Sequence, residues 1–182
     1  MQPIRILESL LSEYAKNKRY LFTASDLRSL FPKLSDAAFK TLLSRSVDSK
    51  ILTRLCRGLY LFEKNYQTDG LLLFHTAALL RAQSFNYISL ETILSEAGII
   101  SQTPINWISI MSSGRSNIIQ CGQFGTIEYI HTNQKPSHLK DELTYDKKYG
   151  FWKASVKLAL RDMKMTKRDH DLINWNIIND SI

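Results

Sequence analysis

The chain has 182 residues, 44% of them hydrophobic and 23% charged, a balance that suits one ordinary domain or two small ones and excludes a disordered chain. Two distant cysteines, Cys56 and Cys121, supply neither a disulfide framework nor a zinc site and read as reduced thiols. The net charge of +7 is uneven: residues 1–65 hold 12 Lys and Arg against 6 Asp and Glu, residues 66–137 hold 3 against 4, and residues 138–182 hold 9 against 7. A basic excess concentrated in one short segment points to an anionic partner, nucleic acid above all, against the plainer alternative of a solvated basic face.

No apolar run approaches the roughly 18–20 residues of a membrane span. Glu8 interrupts the apolar N-terminal stretch, and no small-residue cleavage site follows it, so a signal peptide is not expected. The expectation is a cytoplasmic protein without a membrane partner.

Ile6, Leu7, Leu10, Leu11 and Tyr14 recur at helical spacing and predict a helix over 3–16. "YLFT" (20–23) suits a short strand. "TASD" (23–26) has the form of a capping box, with Thr23 accepting from the backbone and Asp26 reaching back, and it opens a short helix that carries Leu27, Leu30 and Phe31 and ends at Pro32. Ser35 is a suitable N-cap for a third helix, with Phe39, Leu42, Leu43 and Val47 inward and Asp36, Lys40, Thr41, Ser44, Arg45 and Asp48 outward. "ILTRL" and "LYLF" flank Cys56-Arg57-Gly58, a predicted hairpin with a three-residue loop in which Gly58 supplies a positive φ.

Helix, strand, helix, helix, hairpin is the order of a winged helix-turn-helix. In that fold the second helix of the turn enters the major groove and the hairpin, or wing, lies beside it. The DNA-facing candidates are then Ser35 at the helix start, Lys40, Thr41, Ser44 and Arg45 on its outer face, and Arg54 and Arg57 near the hairpin tip.

"NYQTDG" (65–70) reads as a linker. "LLLFHTAALLRAQ" (71–83) is a strongly apolar helix in which His75 is a core or boundary histidine rather than a ligand. Ser89 is expected to cap a helix with Leu90, Ile93, Leu94 and Ala97 inward and Gly98 at its end. "INWISIM" (105–111) and "SNIIQCGQFGTIEYIHT" (116–132) read as strands. "FWKASVKLALRDMKM" (151–165) reads as a helix with Trp152, Val156, Leu160 and Met163 on one face. Lys153, Lys157, Arg161, Lys164 and Arg168 then form a basic stripe, either a docking surface or a solvated face. The expected fold is therefore α+β: a winged helix-turn-helix over 1–65, then a mixed α/β domain over 66–182 with a small antiparallel sheet.

No phosphate loop, dinucleotide fingerprint, HExxH or nucleophile motif occurs, and His75, His131, His138 and His170 lack metal-ligand spacing. No catalytic residue, metal or cofactor is expected, and the chain is not expected to be an enzyme.

The N-terminal segment ending "RLCRGLYLF", then "YISLETILSEAGII", a β-rich stretch ending "GTIEYIHT", "ASVKLALRD" and "KRDHDLINW" follow an order that resembles the AbiEi-type antitoxins of bacterial type IV toxin–antitoxin systems. Matching residues include Arg57-Gly58-Leu59-Tyr60, Tyr87-Ile88-Ser89-Leu90-Glu91 and the Ala154…Lys157…Ala159-Leu160…Asp162 pattern. The resemblance implies a transcriptional autorepressor that binds inverted repeats in its own promoter through the winged helix. It also implies that residues 66–182 counteract a nucleotidyltransferase-like toxin, with Lys153, Lys157, Arg161 and Lys164 as candidates for the neutralising surface. The alternative is a winged-helix regulator whose C-terminal domain senses a ligand or mediates assembly, with no toxin partner.

Overall fold

The computed structural model describes residues 2–15, 18–100, 106–175 and 178. Among them no helix is long and apolar enough to cross a membrane. The fold is mixed α+β, with six helices and two sheets among the described residues, and the chain divides into two compact units, Met1–Asp69 and Gly70–Ile182. The expected boundary at 65/66 falls at the end of a 3-10 turn, Glu63–Asn65.

The first unit begins with α1 (Pro3–Ala15), which buries Leu7 and Leu11 completely; Lys16, the expected helix end, lies outside the described residues. Strand β1 (Leu21–Thr23) leads directly into α2 (Ala24–Ser29). The capping box between them is present: Thr23 Oγ1 accepts from the Asp26 N–H at 3.0 Å, and Asp26 Oδ2 accepts from the Thr23 N–H at 2.8 Å. Helix α3 (Asp36–Asp48) starts at Ser35, whose hydroxyl accepts from the Ala38 N–H at 3.3 Å. It buries Phe39, Leu42, Leu43 and, unexpectedly, Ser46, whose hydroxyl donates to the Leu42 carbonyl at 2.7 Å and so costs no lost hydrogen bond. Val47, expected inward, is half-buried.

Strands β2 (Thr53–Cys56) and β3 (Leu59–Leu61) complete an antiparallel sheet in the order β1-β3-β2. The hairpin loop is shorter than expected. Cys56 pairs with Leu59, which leaves only Arg57 and Gly58 in the turn, and the extra residue appears as a register shift between Arg54 and Cys56. Leu55, within that shift, is buried. Burying Leu55 while keeping Tyr60 paired with Arg54 requires this extra residue inside the strand rather than in the loop. Gly58 has φ +76, which a side chain would strain.

The second unit contains α4 (Leu72–Leu80), β4 (Asn86–Ile88), α5 (Leu90–Glu96), β5 (Trp107–Ser112), β6 (Asn117–Gln120), β7 (Thr126–His131), β8 (Leu143–Asp146), β9 (Phe151–Ala154) and α6 (Val156–Met165). Ile105, expected in β5, lies outside the described residues. The sheet is larger than expected and mixed rather than wholly antiparallel. Its six strands run β6-β7-β5-β4-β9-β8, with parallel pairs β5/β7 and β4/β9. The second of these joins Tyr87 to Trp152 across more than sixty residues of sequence, a pairing that no local hairpin signal announces.

Two further expectations change here. Ser89 occupies the N-cap position of α5 but makes no side-chain capping bond: its hydroxyl donates to Asp162 instead, and Ala97 is exposed rather than inward. "FWKA" is strand β9, paired on both sides, so the last helix starts only at Val156, capped by Ser155, whose hydroxyl accepts from the Leu158 N–H at 3.1 Å. Its buried residues are Leu158, Ala159, Asp162 and Met163; Trp152 lies off the helix and exposed, and Val156 and Leu160 are half-buried.

Candidate nucleic-acid interface

The outer face of α3 is set by its inner one. Burying Phe39, Leu42 and Leu43 turns Lys40, Thr41, Ser44 and Arg45 to solvent, and all four are exposed. They flank two depressions. Lys40 and Ser44 share an open cavity of about 260 Å³ with Arg54 and Tyr60 of the hairpin, and Asp48 also lines it. Thr41 and Arg45 line another, about 390 Å³, together with Gln2, Pro3 and Ile4 at the start of α1. The hydroxyl of Thr41 donates to the Ala37 carbonyl at 3.0 Å, which leaves its lone pairs as its outward chemistry.

The two hairpin arginines separate. Arg54 is exposed on β2 and belongs to the α3 side, with its Nε 3.4 Å from the Cys56 carbonyl. Arg57 sits in the turn. That turn is tied down, since the Gly58 carbonyl accepts from the Ala24 N–H at 2.8 Å, so the hairpin tip is held beside the start of α2.

Cations in this unit fall into two groups. Arg19 pairs with Asp26 at 2.7 Å, Arg28 with Asp36 at 3.4 Å, and Lys64 with Glu8. Lys40, Arg45, Arg54 and Arg57 have no carboxylate partner among the described residues, as is also true of the exposed Arg5, Lys33 and Lys50; the first four are the ones gathered on α3 and the hairpin.

Arg28 is a positioning residue that its sequence context did not signal. Its guanidinium donates to the carbonyls of Phe31 and Leu34 (2.8 Å for the latter) and lies over the Phe39 ring at 5.3 Å, so one side chain holds the turn between α2 and α3. Burial alone would raise the Asp26 carboxyl; the Thr23 backbone and hydroxyl donors and Arg19 outweigh it and hold it below the usual carboxylate range.

The stripe expected in the second unit does not survive as one surface. Lys153 is on β9, where its ammonium meets Glu96 at 2.5 Å and the Tyr149 ring at 4.3 Å. Arg168 lies beyond α6 and bridges Glu91, at 2.7 Å, to Glu128. Lys157, Arg161 and Lys164 remain on the outer face of α6, Arg161 being paired with Glu142 at 2.9 Å. The last helix starts later in the chain than its pattern predicts, because the aromatic residues Phe151 and Trp152 belong to a strand whose partners are distant.

Asp162, which no local spacing marks as structural, anchors this unit. It is fully buried and accepts from Ser89 Oγ at 2.7 Å, Tyr87 Oη at 3.1 Å and Gln134 Nε2 at 3.1 Å. Burial pushes its carboxyl above the ordinary range, and the Ser89 and Tyr87 donors oppose that. His75, placed at the boundary as expected, contacts the Lys148 carbonyl at 2.8 Å. Among the described residues no group of histidine, cysteine and acidic side chains is arranged to hold a metal ion.

Compared with known proteins, the chain matches no family model and no curated sequence.

Proposed function

We propose that this chain is a DNA-binding autorepressor whose first unit is a winged helix-turn-helix, with α3 as the recognition helix and the β2–β3 hairpin as a short wing. The observation that carries this reading is the set of exposed cations Lys40, Arg45, Arg54 and Arg57 on α3 and the adjoining hairpin, none of them in an ion pair among the described residues although Asp48 lines the depression that Lys40 and Arg54 share, in a unit whose other cations include the ion-paired Arg19, Arg28 and Lys64. Lys40, Ser44 and Arg54 around one depression suit a phosphate backbone passing between helix and wing. Following its AbiEi-type resemblance, the protein acts in the cytoplasm on inverted repeats in its own promoter, and its second unit counteracts a nucleotidyltransferase-like toxin through the Lys157, Arg161 and Lys164 face of α6.

The test is fluorescence anisotropy with DNA from upstream of the gene, across a salt series. Arg54→Ala and Arg57→Ala each weaken binding to all sequences and each reduce the salt slope by about one unit if they contact phosphate. Unchanged affinity and slope in the Lys40, Arg45 and Arg54 triple alanine variant would remove α3 and the wing from the interface. Coexpression with the product of a neighbouring nucleotidyltransferase-like gene tests the second role; unrelieved growth arrest overturns it.

A further inference from the structure

The larger sheet of the second unit ends at β6, which among the described residues has one strand neighbour, β7. The hydrogen bonds around it show where its backbone groups point. The Cys121 N–H donates to the Gly125 carbonyl at 2.8 Å, and in the same register Ile119 pairs with Ile127 and Asn117 with Tyr129, so these residues direct their backbone groups at β7. The far side of β7 agrees. The Thr126 N–H donates to the Asn106 carbonyl and the Thr132 N–H to the Ser112 carbonyl, each at 2.8 Å, so Thr126, Glu128 and Ile130 face β5 while Ile127 and Tyr129 face β6. Ile118 and Gln120 therefore turn their N–H and C=O groups away from the sheet.

Free sheet edges are ordinarily blunted by a charge, a proline, a bulge or a covering element. Two other edges of this protein follow that rule. Strand β8 ends in Asp146 and lies between Glu142 and Lys147, and β2 carries Arg54 and a register shift. Strand β6 is Asn117-Ile118-Ile119-Gln120, uncharged, without proline and in unbroken register. Ile118, 53% exposed, is the most exposed large hydrophobic side chain on the described strands. The Gln120 side chain is tied back to β7, its Oε1 accepting from Thr126 Oγ1 at 2.9 Å.

We propose that two copies of this chain pair antiparallel along β6 about a twofold axis through Ile118, so that one six-stranded sheet continues into the other. Ile118 then opposes Ile118 of the second copy. The two exchange both of their outward backbone hydrogen bonds, and their side chains cover each other on one face of the joined sheet. Gln120 meets Ser116 of the second copy, polar against polar. Charge favours a second copy at this edge. The chain carries +7, but residues 66–137 hold 3 basic against 4 acidic residues, and no charge on β6 meets its own image across the axis. The pairing uses no residue of the DNA-facing unit and stands or falls separately from the promoter reading.

Sedimentation equilibrium of the full chain tests it, at about 5–500 µM protein and about 0.3 M salt, which screens the net charge. Few residues meet, so the contact is smaller than a standard interface and the dimer forms in the upper part of that range. Ile118→Lys, which sets two ammonium groups against each other, lowers the association constant about tenfold or more. A pair of cysteine variants tests the register and keeps the proposal open to refutation if Ile118→Lys disturbs the fold. In a Cys56→Ser background, which leaves only the buried Cys121, Ile118→Cys crosslinks to a dimer under mild oxidation, because the opposed Cα atoms lie about 5.5 Å apart. Gln120→Cys does not, because its image lies about 14 Å away. A chain that stays monomeric at every concentration overturns the proposal, as does wild-type association in Ile118→Lys or equal crosslinking of the two cysteine variants.

Discussion

Replacing Asp162 by alanine probes the buried network that joins β4 to α6. The carboxylate accepts from Tyr87, Ser89 and Gln134; Tyr87 and Ser89 are fully buried, while Gln134 reaches water. The substitution strands two hydroxyls where water does not replace the acceptor, at about 1–3 kcal/mol each. Relief from burying a carboxylate whose pKa is already raised offsets part of this, and the expected net loss is about 2–4 kcal/mol. Trp107, Trp152 and Trp175 all lie in the second unit, so tryptophan emission during urea unfolding follows that unit alone. With a slope of about 2 kcal/mol/M, a loss of 3 kcal/mol moves the midpoint by about 1.5 M. Asp162→Asn keeps the shape and one acceptor and costs about 1 kcal/mol. It also reverses a pH trend. The raised native pKa of Asp162 gives a contribution that is complete at low pH and lost as pH rises through that pKa, so the asparagine variant gains on the wild type as pH climbs above about 4. A midpoint for Asp162→Ala within 0.3 M of wild type (about 0.6 kcal/mol at that slope) would refute the view that the network is satisfied by this carboxylate.

Gly125→Ala is expected to unfold or grossly weaken the second unit, because φ there is +123 and an added Cβ would stand 2.0 Å from the Asn106 carbonyl oxygen; near-wild-type melting would contradict this backbone path. Thr23→Ala removes the α2 cap and costs the first unit about 1 kcal/mol in guanidinium unfolding followed by far-UV circular dichroism. Because the same box holds Asp26 below its usual range, its stabilisation is present above the unfolded pKa and fades as pH falls through the native one; Asp26→Asn flattens the acid limb of the stability profile. If the second unit counteracts a toxin as proposed, Lys157→Ala with Lys164→Ala reduces protection in a coexpression experiment more than Lys153→Ala, whose ammonium is already occupied by Glu96; the opposite ranking would move the proposed neutralising surface off α6.

The features legible in the sequence are those carried by short spacing. Thr23 and Asp26 are three residues apart, and their reciprocal bonds form wherever a helix starts there. Ser35 announces α3 in the same way, and the inward set of Phe39, Leu42 and Leu43 follows from the helical repeat, which also fixes the outward Lys40, Ser44 and Arg45. Ser89 carries an equally good capping signal and is used otherwise, because Asp162, far along the chain, competes for its hydroxyl. The aromatic pair at Phe151 and Trp152 directly precedes a strong helical pattern and fits its spacing; only its pairing with β4 and β8 separates strand from helix.

The sequence by itself determined the basic first segment, the order of its helices and hairpin, and which side of α3 meets solvent, since each rests on composition or on contacts within a few residues. Tertiary structure alone decided which charges are left over. Arg54 joins Lys40 beside α3 while Arg57 stays at a tethered turn; Lys153, Arg161 and Arg168 are neutralised by Glu96, Glu142, Glu91 and Glu128, and Arg81 is left among neutral partners. The reason is that a charge is compensated by whatever lies within a few ångströms, and in a sheet whose neighbours are distant in sequence that neighbourhood exists only once the chain has folded.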